Sequence, residues 1–295
     1  MRITVFTPTY NRGYIVENLY HSLQRQSFKD FEWIVVDDGS TDNTEELFKE
    51  WINENNFFKI IYIKVPNGGK HRAINRGVNM AHGELFFIVD SDDFLTDDAL
   101  ERIDYVDNTI PANEKIHFAG VCGNKGYSKD KAVGTVQETK EFLDITTLER
   151  PKYKITGDKA EVFYTEILKK YPFPEFEDEK FITECVVWDK IAYDGFKLRF
   201  FNEIIYICDY LPDGLTAHSN SLFDKSPKGW GLYIYQSGVF GKTFGVLKWK
   251  TYWDYYYHYK GKFKDCEIAK NLHINLLVLK LRIFGMKVFF KLYDR

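Results

Sequence analysis

Residues 84–93 read ELFFIVDSDD, a strand-like run Glu84–Val89 that ends on the carboxylates Asp90, Asp92 and Asp93. Working outward from it, the same arrangement recurs: an apolar run, a polar turn, then a helix. Upstream lie KIIYIK at 59–64, EWIVVD at 32–37 and ITVFT at 3–7. The 32–37 run is almost continuously apolar, as expected where a parallel sheet is covered on both faces. Between the strands, Ile15, Leu19 and Leu23 recur at helical spacing, and Leu47 and Trp51 share a helix side behind a cap at Thr41 or Asp42. A further helix is predicted from Lys70 to Ala81. Alternation of this kind predicts an α/β fold with a doubly wound, mostly parallel sheet flanked by helices.

Ligands of such sheets bind beyond the carboxyl ends of the strands. That rule selects four polar segments: TPTYN at 7–11, DDGS at 37–40, PNGGK at 66–70 and DSDD at 90–93. Side chains alternate along extended backbone, so Asp90 and Asp92 share one side while Ser91 faces away. Two hard oxygen ligands suit Mn²⁺ or Mg²⁺, held together with substrate phosphates; a polar strand end leading into a capped helix explains the same residues without a metal. Asp37 is placed to accept from a uracil N–H or a ribose hydroxyl, or to close a turn. The glycines at 68 and 69 open a helix, so their N–H groups either approach a phosphate or form a plain turn.

The chain has 295 residues, 44% of them hydrophobic, with a formal net charge of −3, so no nucleic-acid partner is indicated. Its four cysteines, Cys122, Cys185, Cys208 and Cys266, form no CxxC or Cys/His cluster, which argues against a zinc site or disulfide framework and fits a reducing cytoplasm. The start MRITVFTPTYNRG has too short an apolar run for a signal peptide. No apolar stretch reaches the roughly 18 residues of a spanning helix.

Taken in order, TPTYNR at 7–12, DFEWIVVDDGSTD at 30–42, NGGKHRAINRG at 67–77, AHGE at 81–84 and VDSDD at 89–93 resemble the family 2 glycosyltransferases. The resemblance covers roughly residues 1–105 and implies the GT-A fold, a Rossmann-like α/β sheet. It implies a nucleotide-sugar donor, a UDP-sugar first among them, held by Pro8, Thr9, Tyr10, Asp37, Lys70, Asp90 and Asp93. Asp92 would be the direct ligand of Mn²⁺ or Mg²⁺. Inverting transfer to a glycan or lipid-linked glycan is the implied reaction, in bacterial surface-polysaccharide synthesis.

Beyond about Gly120 the pattern loosens. Phe181–Tyr193 reads as a helix, KLRFF and EIIYICDY as two strands, and the tail after Lys225 as a helical appendage. The expected division is a catalytic domain over 1–220, with donor half 1–105 and acceptor half 106–220, then helices over 221–295. The family's usual Glu-Asp pair becomes Glu184-Cys185 here, which leaves Glu184 as the expected general base, with Asp178, Glu179 and Asp189 in reserve. Trp188 follows at helical spacing as a weak acceptor platform, and His218 as a third ligand of the metal or a diphosphate contact. The basic, aromatic tail Leu272–Tyr293 suits either packing on the protein or peripheral contact with the inner face of a membrane. A nucleotide-sugar-binding protein without catalysis is the alternative from another class, and Cys185 supports it. A nucleotidyltransferase would need a basic glycine-rich loop where TPTYNR stands.

Overall fold

The apolar runs pair side by side in the computed structural model of the chain, which describes residues 1–137, 141–208, 211, 214, 219–243 and 245–293. The chain divides into two compact units, residues 1–173 with 191–217, and residues 174–190 with 218–295.

The first unit opens with β1 (Ile3–Thr9), α1 (Glu17–Gln24), β2 (Phe31–Asp37), α2 (Thr44–Ile52), β3 (Lys59–Lys64), α3 (Lys70–Met80) and β4 (Leu85–Ile88). These agree with the sequence reading to within two or three residues at each end. It continues through β5 (Phe94–Leu95), α4 (Ala99–Asn108), β6 (Phe118–Ser128), β7 (Lys131–Ala132), β8 (Phe142–Ile145), β9 (Lys159–Tyr164) and α5 (Thr165–Lys170). After α6 (Cys185–Tyr193) comes β10 (Lys197–Ile207). The sheet order is β3-β2-β1-β4-β9-β6-β10-β5, with β7 beside β6 and β8 beside β10.

β1 to β4 are mutually parallel, and Thr9, Asp37 and Lys64 stand level across β1, β2 and β3. β9 runs antiparallel to both β4 and β6, and β6 runs parallel to β10. Two reversals restore the direction, so the carboxyl ends of β6 and β10 reach the same sheet edge as those of β1 to β4. On one face, Trp33 of β2 packs with Tyr20 of α1 and with Phe48 and Trp51 of α2, all at most 4% exposed. On the other, α3 lies so close to β1 that a Cβ at Gly77 would fall 2.1 Å from the Phe6 ring.

β10 corrects the sequence reading of two strands. It is one strand whose register with β6 shifts between Phe200 and Ile204, where Asn202 and Glu203 are exposed. A polar pair that reads as a break is a bulge in a continuous ladder.

The second unit holds α7 (Ser219–Asp224), α8 (Pro227–Val239), α9 (Gly245–Tyr259), α10 (Asp265–Asn271) and α11 (Leu276–Tyr293). Tyr252, Tyr255, Tyr259, Leu272, Leu279 and Ile283 form its core. The Tyr255 hydroxyl donates to the Pro227 carbonyl at 2.7 Å, which satisfies the polar tip of a buried ring. Residues 174–190 belong here because buried Glu179 accepts from the Lys228 and Gly229 N–H groups at the start of α8, at 2.7 and 2.8 Å. The sequence reading drew its boundary at residue 220, ahead of the aromatic- and lysine-rich tail, and a cap made from so far upstream leaves no local signal. For the same reason α6 begins at Cys185 rather than Phe181, whose ring meets Phe223 at 5.2 Å. Among the described residues no helix is long and apolar enough to cross a membrane.

Candidate functional site

The turns after β1, β2 and β3 are tied to one another by their own polar groups. Asn11, at φ 51°, donates its N–H to Ser40 Oγ at 2.8 Å, and its Oδ1 accepts the Thr41 N–H at 2.8 Å. The turn after β2 needs Gly39 at φ +87°, where a Cβ would also stand 3.0 Å from the Asn67 nitrogen. Asp37 is fully buried: Oδ1 accepts the Ser40 N–H at 2.7 Å and Oδ2 the Tyr62 hydroxyl at 2.5 Å. Asp38, which the sequence reading passed over, takes the Gly68 N–H at 2.7 Å and the Gly69 N–H at 2.8 Å on its two oxygens. Of the two readings left open for these glycines, the turn is the one the hydrogen bonds favour. The glycine N–H groups at the head of α3 turn to a carboxylate of the protein rather than to a phosphate.

Lys70, the first residue of α3, reaches the loop after β4 and pairs with Asp90 Oδ1 at 2.6 Å. Arg12, from the turn after β1, stands 3.7 Å from Asp92 Oδ2. Tyr206, fully buried on β10, accepts the Asp90 N–H at 2.9 Å and donates its hydroxyl to Asp93 Oδ2 at 2.6 Å. The Lys125 ammonium of β6 lies 4.0 Å from the centre of the Tyr206 ring. Neither Lys125 nor Tyr206 was selected from the sequence. Nothing in the local sequence marks either as part of a site, and only the sheet order brings each beside residues 90–93.

The three carboxyls differ in charge state for physical reasons. Burial raises the Asp90 pKa, but the Lys70 and Lys125 ammonium groups outweigh it and hold the group below the usual carboxylate range. Asp92 is pushed up by burial and by the charge of Asp90, against the pull of Arg12. Asp93 is pushed up to about 7, first by burial and then by Asp90, despite Lys125 and the Tyr206 hydrogen bond. Ionised carboxyls are thus crowded here with only partial compensation.

That donor set fits a hard divalent cation. Such an ion takes one or two protein carboxylates and completes its shell with phosphate oxygens and water. Among the described residues no three His, Cys, Asp or Glu side chains, these included, are grouped so as to hold a metal ion by themselves, so phosphate oxygens and water would have to supply most of the shell. Pro8 and Thr9 are buried at the end of β1, and Tyr10 beyond them is 47% exposed. The Thr9 hydroxyl is buried and makes no hydrogen bond within the described residues, an orphan that a ligand would satisfy.

In the second unit, Glu184 is half-buried just ahead of α6, and its carbonyl accepts the Val187 and Trp188 N–H groups at 3.0 Å. Trp188 is only 9% exposed, which weighs against an acceptor platform. Of the reserve acids, Glu179 caps α8 and Asp189 pairs with Lys242 at 2.7 Å, while Asp178 is exposed. Burial pushes the Cys185 thiol above its ordinary value. His218 lies outside the described residues.

Comparison with known proteins matches the model of glycosyl transferase family 2 to residues 4–157, just over half of the chain. Glycosyltransferase GlyG of Streptococcus pneumoniae is 38% identical over 34% of this chain and 33% of its own. A Campylobacter jejuni protein, GalNAc(5)-diNAcBac-PP-undecaprenol beta-1,3-glucosyltransferase, is 30% identical over 63% of this chain and 58% of its own. The chain therefore spans a third to somewhat over half of the length of these relatives. Among solved structures, Staphylococcus aureus TarS 1–349 in complex with UDP-GlcNAc superposes with a TM-score of 0.58 at 18% identity, over 97% of this chain and 89% of that one. Mannosyltransferase PcManGT from Pyrobaculum calidifontis, in complex with GDP-Man and Mn²⁺, gives 0.54 at 16% identity, over 98% and 75%. Both likenesses are of fold, and the fold is GT-A with C-terminal helices.

Proposed function

The chain belongs to glycosyl transferase family 2, and on that premise we propose that it transfers a sugar, with inversion, from a UDP-sugar to a hydroxyl of a glycan or lipid-linked glycan. The observation that carries this reading is the cluster of Asp90, Asp92 and Asp93 at the carboxyl edge of the sheet, framed by Arg12, Lys70 and Lys125. Carboxylates and cations so mixed suit a metal–diphosphate group better than either a bare cation or a bare anion.

Pro8, Thr9 and the exposed Tyr10 ring line the nucleotide side, where the orphan Thr9 hydroxyl gains a partner. Asp37 serves the uracil or ribose edge only through lone pairs left over from Ser40 and Tyr62; its main work is to hold the turn. Asp92, paired with Arg12 only at 3.7 Å where Asp90 holds Lys70 at 2.6 Å, is the ligand for Mn²⁺ or Mg²⁺, and Asp90 and Asp93 complete the pocket. A divalent cation bound there would neutralise charge on the departing UDP. Lys70 and Arg12, close by on separate turns, add fixed positive charge that costs no reorganisation as the diphosphate leaves.

Glu184 takes the proton of the acceptor hydroxyl. Its neighbour supports that choice, because a thiol raised by burial stays neutral and cannot replace a carboxylate base. The reaction belongs to the cytoplasmic side of the membrane, where a lipid-linked acceptor like that in the Campylobacter relative's name would be met.

Two substitutions test the reading. Glu184→Gln should lower kcat by about 10²-fold or more while calorimetric UDP-sugar binding stays near wild type. Asp92→Asn should abolish the Mn²⁺ dependence of UDP binding. Retention of most turnover in the first would remove Glu184 from the mechanism, and unaltered metal dependence in the second would remove Asp92. Cys185 favours one other reading, a donor-binding protein without transfer; wild-type binding of UDP-sugar with no turnover on any hydroxyl acceptor would select it.

A further inference from the structure

Helix α11 is apolar on two sides. Leu279, Ile283 and Met286 are 1%, 6% and 2% exposed and pack inward. Leu277, Leu281, Phe284 and Val288, at 65%, 59%, 67% and 42%, face solvent. Their spacing of four, three and four residues stacks them into one stripe, which at 1.5 Å per residue is about 16 Å long. Isolated exposed apolar residues need no explanation, but a continuous stripe does.

Two features next to the stripe say what covers it. At about 100° per residue, Lys280, Lys287 and Lys291 fall together along one flank, and all three are exposed. Residues 268–293 contain no aspartate or glutamate. On the other flank, the Trp249 ring of α9 lies against Gly285, where a Cβ would come within 2.5 Å of it; Trp249 is 41% exposed. An apolar stripe with a lysine rail on one side and an indole on the other has the chemistry of a helix lying in the interface of an anionic bilayer. A second copy is a poorer occupant, because antiparallel pairing of two such faces would bring the lysine rails together.

We propose that this face of α11, with Trp249, docks on an anionic lipid surface, with Leu277, Leu281, Phe284 and Val288 entering the acyl boundary and the three lysines meeting lipid phosphates. The inference goes beyond sugar transfer and does not depend on it, since the contact is read on lipid alone.

The test is vesicle flotation of the full chain, with phosphatidylcholine alone and with added phosphatidylglycerol. Wild type should float with the anionic vesicles far more than with neutral ones, and high salt should release it. Lys280→Gln/Lys287→Gln/Lys291→Gln should weaken partitioning on the order of a hundredfold, since each lysine near such a surface contributes roughly fivefold. Leu281→Ser/Phe284→Ser should abolish it with an unchanged melting temperature, as both side chains are already in water. The lysine variant keeps the stripe intact and so separates docking from any folding defect. Failure of wild type to float on either vesicle, or flotation of both variants equal to that of wild type, would overturn the proposal. So would a lipid-free dimer that the serine variant dissociates, which would make the occupant a second copy. UDP-sugar binding should be the same in all these proteins, so failure of docking leaves the transfer reading intact.

Discussion

Tyr206→Phe tests whether the loop after β4 is held from a strand more than a hundred residues away. The substitution keeps the ring and its fully buried packing but deletes one oxygen with two partners, the Asp90 N–H and Asp93 Oδ2. An abandoned buried donor costs about 1–3 kcal/mol, and a group left charged costs more. The expected loss is therefore about 3 kcal/mol, or roughly 6–12 °C of melting temperature for a unit of this size. The loss should also depend on pH. Asp93 sits at about 7, and removing a donor to its carboxylate drives it higher. Near pH 6 the group is protonated and can dispense with the Tyr206 donor, whereas near pH 8 ionisation is opposed without it, so the deficit should be larger at the higher pH. Differential scanning at both values, with urea unfolding for the free energies, measures this. A variant within about 1 °C of wild type would show that the hydroxyl does not hold the loop. An equal deficit at both pH values would show that Asp93 is not its partner.

The same carboxyl supports a second expectation. Asp93 has a folded pKa above its unfolded value, so it withdraws stability as pH rises from the ordinary carboxylate range through 7. Asp93→Asn escapes that loss, and its stability relative to wild type should improve by a few kcal/mol from ~pH 5 to ~pH 8; a flat difference in urea unfolding would contradict it. Asp107 has the opposite sign. Burial opposes its charge, but Lys115, Tyr164 and Arg2 hold it below the usual range, so its contribution is present above pH ~4 and is lost as pH falls through the depressed value. Arg2→Met removes one ionic partner of this fully buried side chain while Lys115 remains at 2.6 Å. It should cost about 3 kcal/mol at neutral pH and flatten the acid limb of the stability profile. Gly77→Ala drives a methyl into the Phe6 ring and should destabilise by about 1–3 kcal/mol; wild-type stability in the same assay would mean that α3 and β1 are not so close.

The strands and helices from β1 to β4, and the four polar turns that follow those strands, were legible in the chain itself because each is local. A period of two or of 3.6, a glycine at a left-handed turn and an aspartate at a strand end are read from neighbours a few residues apart. Asp90, Asp92 and Lys70 were found in that way, whereas Arg12 was not. What the tertiary structure decided is pairing across distance. Tyr206 and Lys125 lie in strands whose local pattern points to no site, and they reach the loop at 90–93 only because β9 reverses between β4 and β6 and returns the chain to the same edge. The direction of a hydrogen bond is equally invisible in sequence. DDGS and NGGK each look ready for a ligand, yet Asp38 spends both oxygens on Gly68 and Gly69, and buried Asp37 engages Ser40 and Tyr62. In the tail, amphipathic composition was plain. That α11 has two apolar faces, one packed and one in water, depended on which residues Tyr252, Tyr255 and Tyr259 had already covered. Periodicity reports which residues share a face; only packing determines whether that face meets protein, and burial is what converts a pattern into free energy.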